Sequence, residues 1–337
     1  MANAELARPD AAGGRAGSRV AVWLLAAFGM VSVAMAVWVW SSSPVPRVTP
    51  AGDQPISLVP ALTADQHPAT LAVQPYQTLL SNQVDDWRLV RLAENPKILV
   101  IEFPTLGAQG RALNRLATLI EKNNAPRDRV LSDEGLAKFI QQVGDTPATF
   151  FFGHDYPAEA VARFFTMAVS QQLLLNADEL RLGTELLAAG VLKEESDKLI
   201  ANPDRQALVS FTAVQKDDPG TKGDETVDAR RREAILLHEL SHGEFFTNAD
   251  YRKHCWTFWQ HLSDTHRKLL TKFLAMQGYD PGNEELMVNE AQAYLMHTPD
   301  TRAFSAEQLG ISAEQFAVLK SQFNQGAPKS IFSSIGR

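Results

Sequence analysis

Hydrophobic and polar positions along this chain fall into distinct regimes. Residues 1–19 are rich in Ala, Gly and Arg and show no apolar period, which predicts a disordered tail. Residues 20–40 then run for 21 positions without a charge, long enough to span a bilayer as a helix. Residues 41–75 carry repeated prolines and few large apolar clusters, the pattern of a linker. From 76 to 337 the patterning is that of a folded domain.

Within that domain, 87–93 and 97–103 read as strands turned at Asn95-Pro96, the second built on the run Ile98-Leu99-Val100-Ile101. Residues 106–122 predict a helix with Leu113, Leu116, Ala117 and Ile120 on one side. A second helix follows Ser132, with Asp133 and Glu134 suited to its positive end. Residues 149–152 read as a short buried strand and His154-Asp155 after it as a turn, with a functional loop as the alternative reading; 157–175, 178–189 and 194–200 read as helices. Residues 207–214 predict a strand, and 233–242 an apolar helix with Asp224 as N-cap and Gly243 as terminator. A long helix at 252–276 places Trp256, Trp259, Leu262, Leu269 and Phe273 in the core. Helices at 283–297, 305–309 and 312–323 complete the chain. Strands concentrate in the first half and helices in the second, so the expected class is α+β.

Composition narrows the partners. The net charge is −7 with no long basic run, which argues against nucleic acid. One cysteine, Cys255, excludes an intrachain disulfide and a Cys-rich zinc site. Arg8, Arg15 and Arg19 precede the apolar span and only Arg47 follows closely. That asymmetry predicts a cytoplasmic N-terminus and a periplasmic or otherwise extracytoplasmic domain. Trp23, Trp38 and Trp40 mark the span's ends as interfacial anchors. Ala34-Met35-Ala36 fits a signal-peptide cleavage site, but the apolar run continues past it to Trp40, which favours an uncleaved anchor in the lipid bilayer.

The candidate chemistry lies in His238-Glu239-Leu240-Ser241-His242. Helix residues four apart sit about 40° from each other, so both imidazoles project from one face and can share a metal ion. Glu239 is rotated about 100° from His238, beside the metal without ligating it, where a general base acting on water belongs. On the helix at 283–297, Glu290 is centred on a mostly apolar stripe; Leu286, Met287, Ala293, Tyr294 and His297 lie within about 60° of it. A buried carboxylate needs a partner, either a metal or a buried arginine such as Arg231. Glu284 and Glu285 fall about 120° or more away. His254 and His261 share one face of another helix and form a weaker candidate pair.

The H-E-x-x-H run together with Asn289-Glu290-Ala291-Gln292-Ala293 resembles the gluzincins, zinc metallopeptidases that take a glutamate ligand from a later helix. The resemblance covers roughly 207–297 and implies a zincin-like fold hydrolysing a peptide or protein substrate. It implies Zn²⁺ on His238, His242 and Glu290, Glu239 as base, and 207–214 as the strand edging the cleft and pairing with substrate. Tyr294 stands where an aspartate supports a histidine in related enzymes, so the groups behind the ligands must differ. For the oxyanion, Tyr294 and His297 are the expected donors, with Tyr251 and His254 behind them. The competing expectation is a non-catalytic, membrane-anchored envelope protein that binds a partner or wall component, with a structural metal or none.

Overall fold

A computed structural model describes residues 70–335 except 197. The anchor, the tail and residues 41–69 of the linker fall outside these residues. Among the described residues, no helix is long and apolar enough to cross a membrane.

The frame is a five-stranded mixed sheet of order β1-β2-β3-β7-β4. Its members are β1 (Val73–Gln74), β2 (Arg88–Leu92), β3 (Ile98–Phe103), β4 (His154–Pro157) and β7 (Ala207–Thr212). β1 takes in residues that the sequence assigns to the linker, pairing parallel to β2. β3 and β7 are parallel, in register from Ile98↔Ala207 to Phe103↔Thr212, and β4 runs antiparallel to β7. All six residues of β3 and all six of β7 are buried. Ile98, Val100, Val209 and Phe211 face one core, whereas Leu99, Ile101, Phe103 and Leu208 face another. Burial on both faces is why these strands read as continuous apolar runs rather than alternating ones.

One core is covered by α2 (Leu106–Ile120), α4 (Ala158–Ser170) and α5 (Ala177–Ala188). α3 (Asp133–Gln142) follows α2, and α1 (Tyr76–Ser81) packs into the other core through Tyr76 and Leu79. The other is covered by α6 (Ala229–Thr247), α7 (Ala249–His261), α8 (Asp264–Met276) and α9 (Glu284–His297), with α10 (Ala306–Leu309), α11 (Ala313–Asn324) and α12 (Ile331–Ser334) closing the end. The α+β arrangement of a sheet-bearing first half and a mostly helical second half is thus present.

Several local expectations are corrected. Residues 149–152 form turns rather than a strand; the strand is the next segment, β4, which contains His154-Asp155. The expected helix at 194–200 is a hairpin of β5 (Leu192–Glu195) and β6 (Lys198–Ala201), reversed at Ser196, whose φ is 59°. The long helix at 252–276 is broken between α7 and α8, where Ser263 accepts from the His266 N–H and caps a new start. α6 begins at Asp228, whose side chain accepts from the Arg231 N–H, while Asp224 pairs with Arg231 at 3.1 Å. Gly243 does not end α6. A Cβ there would lie 3.0 Å from both Cδ1 and Cγ2 of Ile98, so the glycine lets the helix lie close on β3. Finally, β7 is not a cleft edge. It sits between β3 and β4, its backbone occupied on both sides, and the edge strand is β4.

Candidate metal centre

α6 lies against β7 and β4 and packs against α9. Thirteen residues of α6 are buried, including the whole of 236–245, so His238, Glu239 and His242 come out of water together. Arg232, 1% exposed, fixes the start of this helix. Its guanidinium donates to Glu102 at 2.6 Å and to the carbonyls of Leu79 and Thr212 at 2.9 and 3.1 Å, and it also meets Leu80 O. Arg88 holds the other oxygen of Glu102 at 2.8 Å. The sheet, α1 and α6 are therefore tied at one buried charge cluster.

The two motif histidines meet Glu290 from α9. Glu290 Oε2 is 3.6 Å from His238 Nε2, and Oε1 is 3.7 Å from His242 Nε2. One ligand atom from each of the three lies within 4.8 Å of the others, all buried. Arg231 is occupied elsewhere, by Asp224 and the Thr226 carbonyl. Burial holds the Glu290 carboxyl above its ordinary value, with the Tyr279 hydroxyl acting to lower it.

The tautomer of His238 follows from its partner. Thr298 Oγ1 donates to the Ala293 carbonyl at 3.0 Å, so it accepts from His238 Nδ1 at 2.8 Å. The proton is therefore on Nδ1 and the lone pair on Nε2 faces Glu290, which is how a metal-ligating histidine is oriented. Burial pushes its pKa down to about 4, keeping the ring neutral. His242 is fully buried, and neither ring nitrogen has a hydrogen-bond partner. Glu290 Oε2 and Glu239 Oε2 are also buried without one. Unsatisfied buried polar atoms are rare because each forfeits its hydration. Two of these, His242 Nε2 and Glu290 Oε2, converge with His238 Nε2 and fit a cation coordinated by the three residues, which makes the arrangement a site that could hold a metal.

Glu239 projects beside this cluster, packed on Gly153; a Cβ at 153 would fall 2.3 Å from Oε1. Burial and the neighbouring carboxylates Asp155, Glu290 and Glu121 hold its carboxyl well above its ordinary value. Asp155 of β4 reaches the same place, with Oδ2 3.7 Å from His242 Nε2, and Asp155, Glu239 and His242 form a second group within 4.8 Å. Burial raises the Asp155 carboxyl to about 6. Glu121, at the end of α2, is pushed well up by burial and by Asp155 and Glu290, with the Tyr156 hydroxyl acting the other way.

The expected helpers separate. The Tyr294 ring stands edge-on to His238, centroids 4.7 Å apart, and burial raises its phenol pKa, so it keeps its proton. His297 stacks on Phe332 at 3.6 Å and pairs with Tyr251 at 2.8 Å, and Tyr251 also donates to Gln292. His254 is bound to the Phe323 carbonyl and His261 to the Thr257 carbonyl, so this pair does not converge on a shared site. Gly153, Asp155, Glu121, Tyr279 and Thr298 were not singled out from the sequence as site residues. Each comes from the end of an element or a loop, and no spacing links them to the motif. The one available signal was the His154-Asp155 pair after an aromatic run. Comparison of the chain with protein-family models, with curated proteins and with solved structures finds no match in any of the three.

Proposed function

We propose that this chain is a membrane-anchored, zinc-dependent metallopeptidase of the gluzincin type. The observation that carries the reading is the convergence of Glu290, from a separate helix, on the Nε2 atoms of His238 and His242 at 3.6 and 3.7 Å. The donor set of two imidazoles and one carboxylate is that of catalytic zinc sites. When bound, zinc would supply Lewis acidity, lowering the pKa of water and polarising a carbonyl oxygen.

The chain's own residues supply the rest. Glu239 Oε2, buried and without a hydrogen-bond partner, accepts a proton from water and delivers it to the leaving amine nitrogen. A cation beside it would oppose the burial and carboxylate repulsion that raise its pKa and so would favour the ionised base. Tyr294, protonated and packed on His238, is the better placed donor to a developing oxyanion. An extended peptide would pair with the free side of β4, with which no strand pairs among the described residues. The anchor at 20–40 and the extracytoplasmic placement of the domain belong to the same reading, supported by the charge pattern of the sequence.

The test is hydrolysis of a peptide library by the purified chain, comparing wild type with Glu239→Gln. A general base contributes typically 10²–10⁴-fold, so the variant should lose cleavage by about that factor while keeping its metal. Equal cleavage by both would remove Glu239 from the mechanism.

A further inference from the structure

We propose that Asp155 is a fourth protein ligand to the cation held by His238, His242 and Glu290. This rests on the metal reading above and adds a residue from the sheet to a set drawn from two helices. On β4 the side chains alternate. His154 and Tyr156 turn to one face, joined by a 2.9 Å hydrogen bond between His154 Nδ1 and Tyr156 Oη. Asp155 turns to the other, towards α6, and its side chain is only 12% exposed.

The distance from Asp155 to one ligand, His242, is that of neighbours in a coordination shell. Metal–ligand bonds of about 2.1 Å in a tetrahedron place ligand atoms roughly 3.4 Å apart. Three contacts come near that length: His238 to Glu290 Oε2 at 3.6 Å, His242 to Glu290 Oε1 at 3.7 Å and His242 to Asp155 Oδ2 at 3.7 Å. Asp155 otherwise groups with Glu239 and His242, so it joins the shell from the His242 side by a side-chain movement toward the ion. An independent observation points the same way. His242 Nε2 is fully buried with no hydrogen-bond partner, and both carboxylates approach it at the same distance. Neither carboxylate hydrates it or donates to it; a cation between them satisfies all three. Four protein ligands close the shell, so water or a peptide carbonyl must displace Asp155 before hydrolysis. β4 is the edge strand, and the side chain competing for that position is carried beside the peptide that would dock there.

The experiment uses the full chain, stripped of metal and titrated with Co²⁺, whose visible absorption reports its ligand set. Asp155→Asn should change the shape and intensity of that spectrum. It should also lower Zn²⁺ affinity by more than the roughly 10–100-fold typical of a residue outside the shell. Asp155→Cys should add a thiolate-to-cobalt band in the near ultraviolet, since only a side chain that touches the ion can give one. The sole native cysteine, Cys255, is buried in the core formed by α7 and its neighbours. A Co²⁺ spectrum unchanged in Asp155→Asn, or no thiolate band in a folded Asp155→Cys, would overturn the proposal. His242→Ala separates the two levels. If it too binds Co²⁺ like wild type, the metal centre itself is wrong, whereas loss of binding there with an unchanged Asp155→Asn spectrum removes Asp155 alone.

Discussion

Glu239 and Gly153 are in such close contact that neither tolerates added volume from the other. A methyl at 153 would sit 2.3 Å from Oε1 and 2.7 Å from Cδ and Cγ of Glu239. Gly153→Ala should therefore push the carboxylate out of position, lowering kcat by about 10²-fold or more with metal content unchanged, as for loss of the base. Steady-state kinetics paired with elemental analysis would check this. Thr298 offers a separate case. Thr298→Val keeps the shape but removes the acceptor of His238 Nδ1–H, leaving that proton buried and unpaired. Zinc affinity should fall roughly 10–100-fold, measured by competition with a chelator. At this scale the sequence is legible only where chemistry repeats at helical spacing. His238, Glu239 and His242 share one helix, and Glu290 betrays itself as a charge on an apolar stripe. Gly153 and Thr298 reach the site through folding of distant segments with no local pattern to mark them, and Asp155 shows only through its pairing with His154 after an aromatic run.

At the scale of elements, α6 owes its placement to apolar burial and to the Arg232–Glu102 pair, side chains 2% and 1% exposed. Removing Arg232 leaves Glu102 with Arg88 alone and the buried Leu79 and Thr212 carbonyls without their donor, a loss on the scale of breaking a buried pair, about 3–5 kcal/mol. Arg232→Ala should destabilise the fold by about that much, and Arg232→Met with Glu102→Gln by less, read from urea unfolding. The strands at the centre of the sheet were visible as unbroken apolar runs. The β5–β6 hairpin was not, because Lys193, Glu194 and Glu195 form a charged run with helical composition; its strands pair locally around a turn at positive φ. Gly243 was misread for a related reason. A glycine after a helical run signals either an end or a close approach, and only the position of Ile98 decides between them.

For the whole molecule, the buried carboxylates make stability depend on both pH and metal. Asp155, Glu121, Glu239 and Glu290 all titrate above their ordinary values, chiefly because burial disfavours the charged form. The folded state then binds more protons than the unfolded one. Stability is full below the unfolded values, near 4, and falls as pH rises through about 6 for Asp155. Metal-free protein should melt at a lower temperature at pH 7 than at pH 5, and zinc should restore more of the loss at pH 7. A melting temperature that instead rises with pH over this window would mean that the buried histidines His238 and His154, held down to about 4 and 3 and so stabilising as pH rises, outweigh the carboxylates. Topology is tested independently of chemistry. A periplasmic reporter fused after residue 337 should be active and a cytoplasmic one silent; the reverse would place the domain in the cytoplasm.

The central claim is that His238, His242 and Glu290 hold a metal ion that Glu239 does not ligate. Elemental analysis of the purified chain and three variants tests it most directly. Wild type and Glu239→Gln should each carry close to one equivalent of zinc, whereas His238→Ala and His242→Ala should carry almost none, since each removes a ligand. Wild type without metal after reconstitution, or histidine variants that retain it in full, would contradict the account.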